Sequence, residues 1–420
     1  MRIKIAGILA FVFFVGQHLQ LMSLFGFPVT LGAGCGIALL ILVSRPRGFT
    51  GVIGVSCAVI TVSSTAAMFS SADADLVQYV RTLTLFVLAF SVVALGWSGT
   101  DLEFLKSNAF HRAVLLALFL IVTLSVGQVI LGAMGSLVLF NPFGSFQYLY
   151  QYNPHLEFVQ FPRAQGFYLE PSYDAFVICA LSVILFCLNK SRKLAAVLVT
   201  LGLLACQSAS GLLLLALALI FVVFRARPAT GAVSVLILAL VGGLAGPYLL
   251  VRLSTLDETG TSANYRIVAP LDVLSDVLLN TPLGEPLGSI ATVLERYGLQ
   301  NGSTQGTSLD NGFYVLIFYF GWIGLVALVA FVIAMLVLSI RRARIDRGIS
   351  WIAPIWLAGS FLFSGGIMLP EFALMTWFVV VAFNYFEPAK GARVVQEPRE
   401  ASALSRHDYL QRPSWSRQNP

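Results

Sequence analysis

The chain is 420 residues long, 58% hydrophobic and 11% charged, with a formal net charge of +6 and a mean hydropathy of +0.85. A water-soluble domain of this size cannot cover so much apolar surface, so a soluble globular enzyme is excluded and a polytopic, all-α membrane protein is expected. The basic balance reflects how Lys and Arg are sorted along the chain and does not point to nucleic acid.

A helix needs about 20 apolar residues to cross the hydrocarbon layer of a bilayer. In chain order, stretches of this kind fall at roughly 4–25, 27–43, 51–70, 76–97, 112–134, 171–188, 194–208, 210–224, 231–250, 313–338, 350–368 and 371–386. About twelve transmembrane helices are therefore expected. The first stretch lacks the small-residue cleavage site of a secretory peptide and is read as a retained span. Cys35, Cys57, Cys179, Cys187 and Cys206 all lie in these stretches, so no disulfide framework is indicated and each reads as a small core residue.

Cytoplasmic connections collect Lys and Arg. Arg2 and Lys4 precede the first stretch, Arg45 and Arg47 follow the second, and Lys106 and Arg112 flank the start of the fifth. Lys190, Arg192 and Lys193 follow the sixth, Arg225 and Arg227 the eighth, and Arg341, Arg342, Arg344 and Arg347 the tenth. Six more lie beyond residue 387. Every second connection is thus basic, which predicts alternating spans with both termini in the cytoplasm. Of the 26 Lys and Arg residues, those left for the opposite side are all arginines: Arg81, Arg163, Arg252, Arg266 and Arg296. Topology would be served equally by lysine. Arginine alone suggests recognition of phosphate or carboxylate groups, because its planar fork donates two parallel hydrogen bonds.

Two connections on that arginine-bearing side are long, about 135–170 and about 251–312, and connections longer than about 15 residues usually carry function or are disordered. The first is rich in aromatic residues, from Phe140, Phe143 and Phe146 through Tyr148, Tyr150, Tyr152, Phe158 and Phe161 to Phe167 and Tyr168. Such rings favour the headgroup layer of a membrane, and sugar rings also stack on them. The second carries an amphipathic pattern of Leu271, Leu274 and Leu278 with Asp272 and Asp276 off the stripe, opened by Pro270 and closed by Pro282 and Gly284. It predicts an in-plane helix followed by a tight turn through Glu285-Pro286-Leu287-Gly288. Residues 1–387 are expected to form the membrane domain, and 388–420, rich in Arg, Pro, Ser and Gln, a disordered cytoplasmic tail. No internal repeat is visible, which argues against transporters built from two related halves.

Several segments, taken in order, carry a resemblance. They are Arg163-x-x-Gly166-Phe-Tyr-Leu-Glu170-Pro171-Ser172 entering a span, Ser208-Ala-Ser210-Gly211 before another, and Asn264-Tyr-Arg266 followed by Pro282-Leu-Gly284-x-x-x-Gly288. The last is Asp310-Asn311-Gly312-Phe-Tyr314 leading into Phe320-Gly321-x-Ile-Gly324-Leu. The set resembles the bacterial O-antigen polymerase and ligase superfamily, including Wzy-type polymerases of exopolysaccharides, over roughly residues 160–330.

That resemblance implies a protein of the bacterial inner membrane acting on undecaprenyl-diphosphate-linked glycans at the periplasmic face. It implies a metal-independent glycosyl transfer with no cofactor, with inversion at the anomeric carbon, and a polysaccharide co-polymerase that regulates chain length as a partner. Ligases of this superfamily, which transfer polymer to lipid A–core, often carry a His-Asn pair where this chain has Asp310-Asn311. The departure favours the polymerase over the ligase and leaves the base open among Asp310, Glu170 and His155. A lipid-linked oligosaccharide flippase is the rival from another class; charges lining the bundle centre and short outer loops are expected of it.

Each candidate has a plain alternative. Arg266 is read as a diphosphate ligand, or as a loop-packing partner of Asp272 or Asp257. Arg163 is read as a ligand of the second lipid-linked substrate, or as a partner of Glu157. Arg81 lies a few residues into its span and either snorkels towards Asp73 and Asp75 or points into a substrate cavity. Glu170 and Asp310 suit catalysis and equally suit helix starts, where an acid and a following Pro are favourable. Asn311 and His155 complete the set of substrate-contacting candidates. His18, beside Gln17 and Gln20, reads more readily as a packing contact, and Glu371 as a minor acid candidate. No zinc-ligand spacing, phosphate loop or serine-nucleophile elbow is present.

Overall fold

The computed structural model describes residues 2–24, 27–44, 50–70, 75–98, 102–136, 147–149, 163–225, 228–259, 261–301, 304–305, 308–342, 349–362 and 364–384. The chain is mostly helical. The N-terminal part runs α1 (Arg2–Val15), a hairpin of β1 (Gln20–Leu24) and β2 (Phe27–Thr30), α2 (Leu31–Val43), α3 (Thr50–Ser70), α4 (Leu76–Ser98), α5 (Leu102–Lys106) and α6 (Asn108–Ala133). Then come α7 (Pro171–Cys187), α8 (Arg192–Cys206), α9 (Ala209–Arg225) and α10 (Pro228–Ser254). Three short helices follow, α11 (Ser262–Ile267), α12 (Pro270–Asn280) and α13 (Ile290–Arg296), with a small ribbon of β3 (Gln300–Asn301) and β4 (Thr304–Gln305). The long α14 (Gly312–Arg342), α15 (Ile349–Leu362) and α16 (Pro370–Asn384) complete the order.

Local chemistry sets the helix starts. Thr30 Oγ1 accepts from Ala33 N at 2.9 Å and opens α2, and Ser107 Oγ accepts from Phe110 N at 3.1 Å and opens α6. Pro171 and Pro270 occupy the first turns of α7 and α12, where a missing N–H costs nothing. A helix covers part or all of each apolar stretch expected to span the membrane, but α1, α2 and α15 are shorter than the stretches they occupy. Three helices, at Leu76–Ala94, Asn108–Ala133 and Gly312–Arg342, are long and apolar enough to cross a bilayer by themselves, and shorter apolar helices surround them.

The helices α7 and α16 are apolar all round and buried along nearly their whole length, as expected for the centre of a bundle. Phe13 and Phe14 of α1, Phe110 of α6 and Phe378 of α16 meet at centroid distances of 5.0–5.7 Å. By contrast α6 and α14 present open apolar faces, including Leu116, Phe119, Val326, Val329, Ile333 and Ile340. In water such faces would be an aggregation hazard; against lipid tails they cost nothing.

The first expected span is corrected. Residues 4–25 are helical only to Val15, and a helix of 14 residues reaches about 21 Å, short of the hydrocarbon thickness. Gly16, Gln17 and His18 end it, and β1 pairs with β2 instead, satisfying the backbone that the helix no longer serves. The in-plane helix expected after Pro270 forms as α12, but its buried face is Val273, Leu274 and Val277, while Leu271 is exposed.

The connections separate into two ends of the bundle. At one end Arg2 Nε donates to Leu42 O at 3.0 Å, Lys190 Nζ to Lys106 O at 3.0 Å, and Arg342 Nη2 to Asn384 Oδ1 at 3.1 Å. The Arg342 guanidinium also sits 4.2 Å over the Phe383 ring. At the opposite end, Leu169 N donates to His18 Nδ1 at 2.9 Å, Thr30 donates to Glu371, and Ala164 N donates to Ala205 O at 3.0 Å. These second contacts join the ends of α1 and α8 to the entry of α7, and the start of α2 to that of α16. The basic connections at 45–49, 226–227 and 343–348 lie outside the described residues. The tail 388–420 lies outside the described residues.

One feature of α14 ties this end to the second long connection. Gly321 breaks the helix with φ 50° and ψ −127°, and a β-carbon there would strike the carbonyl of Pro282. Into the break fits Pro282-Leu-Gly284: Trp322 N donates to Pro282 O at 3.0 Å and Glu285 N to Phe318 O at 2.8 Å. Gly284, at φ 91°, lies against the backbone of Tyr319, and Gly288, at the same φ, against Gln78 of α4. Two motifs far apart in sequence, Pro282-Leu-Gly284 and Phe320-Gly321, are therefore the two halves of one joint. Gly321→Ala is expected to cost about 1–3 kcal/mol from backbone strain alone. Its melting temperature in detergent should fall by several degrees; an unchanged melting curve would refute this account of the joint.

Candidate active site

The segment 163–170 enters the opposite end of the bundle as non-helical backbone. Such backbone persists at depth only where protein supplies its hydrogen bonds. Gln128 of α6 supplies three: its Oε1 accepts from Gln165 N at 3.1 Å and from Gly166 N at 2.9 Å, and its Nε2 donates to Gly166 O at 3.1 Å. Tyr168 Oη donates to Phe14 O at 2.6 Å, and the His18 ring packs on Tyr168 and Tyr173 at centroid distances of 5.7 and 4.2 Å. His18 is therefore the packing contact that its surroundings in the sequence suggest. Phe167 and Tyr168 are buried, which corrects their reading as headgroup-layer rings: their partners are protein. Tyr148, also buried, bridges to Leu19. The other rings of this connection, and His155 and Glu157, lie outside the described residues.

Arg163 opens this segment. It is 9% exposed, and its Nε donates to Cys206 O at 3.4 Å, the last residue of α8. Glu170 closes the segment as the residue before Pro171. It is exposed and accepts from Ser172 Oγ at 3.0 Å. Ser208 and Ser210, from the motif that opens α9, bond to each other at 2.9 Å.

Asp174 is a buried carboxylate that the sequence reading did not single out. It lies one turn into α7, is fully buried, and accepts at Oδ2 from Ser125 Oγ at 2.7 Å and from Cys206 Sγ at 3.1 Å. The available signal was a lone carboxylate inside an otherwise apolar run, which in a membrane helix marks function by default.

The second cluster is built on α11. Thr261 Oγ1 caps it by accepting from Asn264 N at 3.2 Å, and Asn264 Nδ2 ties it back to Leu256 O at 2.7 Å. Arg266, in the last turn, places Nε 3.4 Å from Asp310 Oδ2, with both side chains 27% exposed. The ion pair weighed as the plain alternative for Arg266 is thus made with Asp310 and not with Asp272 or Asp257, and it brings two predicted site residues together across 44 positions of sequence. Tyr265 is buried and donates to Ser308 O. Burial, reinforced by the Asp310 carboxylate, holds its phenol above the ordinary value, so it remains a donor. Ser308 Oγ in turn donates to Asp310 Oδ1 at 3.3 Å.

Asn311, beside Asp310, is a helix cap. Its Oδ1 accepts from Phe313 N at 3.0 Å and Tyr314 N at 3.4 Å, which opens α14. The Asn311 Nδ2 is buried with no hydrogen-bond partner among the described residues. Gly365, in the turn before α16, lies against the backbone of Leu309 and Asp310 and fixes the carboxylate-bearing turn from behind.

A line of rings runs between the two clusters. Tyr173 meets Phe176 at 5.4 Å, Phe176 stacks on Phe372 at 5.5 Å, Phe372 meets Phe361 at 5.4 Å, and Phe361 stacks on Phe313 at 5.9 Å. Rings locked in this way give a stiff apolar wall at the end of the bundle that carries both clusters. Arg81 stands exposed in the second turn of α4, and Arg296 is exposed at the end of α13. Glu371 is buried and bonded by Thr30.

The described helices form an apolar bundle of the kind that membrane proteins have, and Arg163, the Arg266–Asp310 pair and the line of rings lie on or beside its connections. Residues 5–385 match the family described as WcaD colanic acid polymerase, and the chain belongs to that family. It is also 28% identical to the "Putative colanic acid polymerase" of Escherichia coli (strain K12) over 322 residues, covering 72% of this chain and 78% of that protein.

Proposed function

We propose that this protein polymerises lipid-linked oligosaccharide repeat units into an exopolysaccharide, and that Arg266 and Asp310 form the centre of the reaction. The family membership supports the polymerase reading. The observation that carries the site is the contact between Arg266 Nε and Asp310 Oδ2. A guanidinium that could hold a diphosphate stands beside a carboxylate that could take the proton from a sugar hydroxyl.

In this reading a hydroxyl oxygen of one lipid-linked glycan attacks the anomeric carbon of another. The bond from that carbon to the undecaprenyl diphosphate oxygen breaks, and the hydroxyl proton passes to Asp310. The departing diphosphate gathers negative charge, and preorganised donors aimed at such charge are worth about 10²–10³ in rate for each donor removed. Arg266 would supply them through its terminal nitrogens, since its described contact uses only Nε. Arg163 would hold the diphosphate of the second substrate, and Arg81 would line the approach. Asp310 is preferred to Glu170 as base because it stands against the Arg266 guanidinium.

The reading places the site on the periplasmic side of the bacterial inner membrane, with the end that collects Lys and Arg, and both termini, in the cytoplasm. Transfer inverts the anomeric carbon and needs no metal, the leaving-group charge being met by guanidinium. A co-polymerase that sets chain length would act beside it.

The test is the glycan profile of a deletion strain. Wild type should restore long chains, and the strain without it should accumulate single repeat units on their lipid carrier. Unchanged polymer output from Arg163→Ala/Arg266→Ala, at wild-type protein level, would overturn the mechanism.

A further inference from the structure

Asp174 has no place in the reaction just described, yet its carboxylate is fully buried. A buried carboxylate is retained only where its surroundings need an acceptor or a charge. Its partners indicate the need. Ser125 belongs to α6, three residues before the Gln128 that carries the 163–170 backbone. Cys206 closes α8, and it meets both ends of the arrangement: its carbonyl accepts from Arg163 Nε at 3.4 Å, while its thiol donates to Asp174 Oδ2 at 3.1 Å.

The other carboxylate oxygen faces the same segment. A β-carbon on Gly166, at φ 56°, would stand 2.9 Å from Asp174 Oδ1. That oxygen has no hydrogen-bond partner among the described residues. Asp174 therefore packs behind Gly166, three positions after Arg163, and also reaches the residue on which Arg163 rests. It joins three helices at the point where the segment turns.

We propose that Asp174 is the positioning residue for Arg163, acting through the Cys206 thiol and the Gly166 backbone to set the guanidinium that binds a lipid-linked diphosphate. The inference rests on the polymerase reading above. Asp174 touches no substrate; it fixes where Arg163 stands.

The experiment uses the full-length protein in lipid nanodiscs with undecaprenyl-diphosphate-linked repeat units extracted from the deletion strain. Asp174→Asn should raise KM roughly tenfold with little change in kcat, the size of coupling found between residues in contact. In an Arg163→Ala background the same substitution should add nothing further. Losses that multiply, or a loss in kcat alone, would overturn the proposal in favour of a purely structural role. If Asp174→Asn does not fold, Cys206→Ala carries the test. It should raise KM, and Cys206→Ser, which keeps a donor, should restore it; wild-type KM in Cys206→Ala would overturn the proposal. Wild-type activity in Arg163→Ala with an inactive Arg266→Ala would overturn this inference and leave the polymerase reading standing. Wild-type activity in both would overturn the reading itself.

Discussion

Arg266→Ala is expected to reduce the polymer made by a complemented deletion strain to single repeat units, with the protein still present in the membrane at wild-type level. Removing one preorganised donor of transition-state charge lowers kcat by about 10²–10³, or roughly 3–4 kcal/mol. Stability should barely move, because the Arg266–Asp310 pair is 27% exposed on each side and such pairs contribute about 0–1 kcal/mol. Arg266→Lys separates charge from shape. Lysine keeps the charge but loses the fork, so it should recover part of the activity and remain roughly tenfold below wild type. Rates measured on extracted lipid-linked repeat units would decide this. Full activity in Arg266→Lys would mean that any cation suffices, and full activity in Arg266→Ala would remove Arg266 from the reaction.

The second large effect is expected at Asp310. Asp310→Asn keeps the size and the turn before α14 but removes the proton acceptor. General-base assistance contributes about 10²–10⁴ in rate, so kcat should fall by that factor while KM for the lipid-linked substrate changes little. The neighbouring Asn311 provides the comparison. Asn311→Ala removes a cap with two N–H contacts and should cost about 1 kcal/mol of stability, with a far smaller effect on kcat. A variant of Asp310 that loses stability but not kcat would make it a helix-start acid, and Glu170 would then be the residue to test.

Much of the fold is legible in the amino-acid sequence. The apolar stretches fall on helices because, in a bilayer, each must satisfy its own backbone, and hydropathy reports that need residue by residue. The sorting of Lys and Arg predicts which connections share an end, and Arg2, Lys190 and Arg342 bond respectively to Leu42, Lys106 and Asn384, beside connections expected on the same side. The exception at residues 16–30 is instructive. Gly16, Gln17 and His18 interrupt an apolar run that a window average smooths over, and in the hairpin that replaces the helix β1 pairs with β2 while Gln20 N donates to Gln147 O, far along the chain.

The site was legible as a set of residue types and not as an arrangement. The sequence by itself determined that this is a helical, apolar protein of membrane type, which connections collect Lys and Arg, and that the cations outside those connections are all arginines. Each of these is local or periodic, written in a window of a few dozen residues. Only the tertiary structure decided that Arg266 meets Asp310 rather than Asp272, that Pro282-Leu-Gly284 fills the break at Gly321, and that Asp174 stands behind Gly166 and meets Cys206, on which Arg163 rests. Those are contacts between segments far apart in the chain. They depend on which helices pack together and on where a side chain is missing, and no pattern within one segment carries that information.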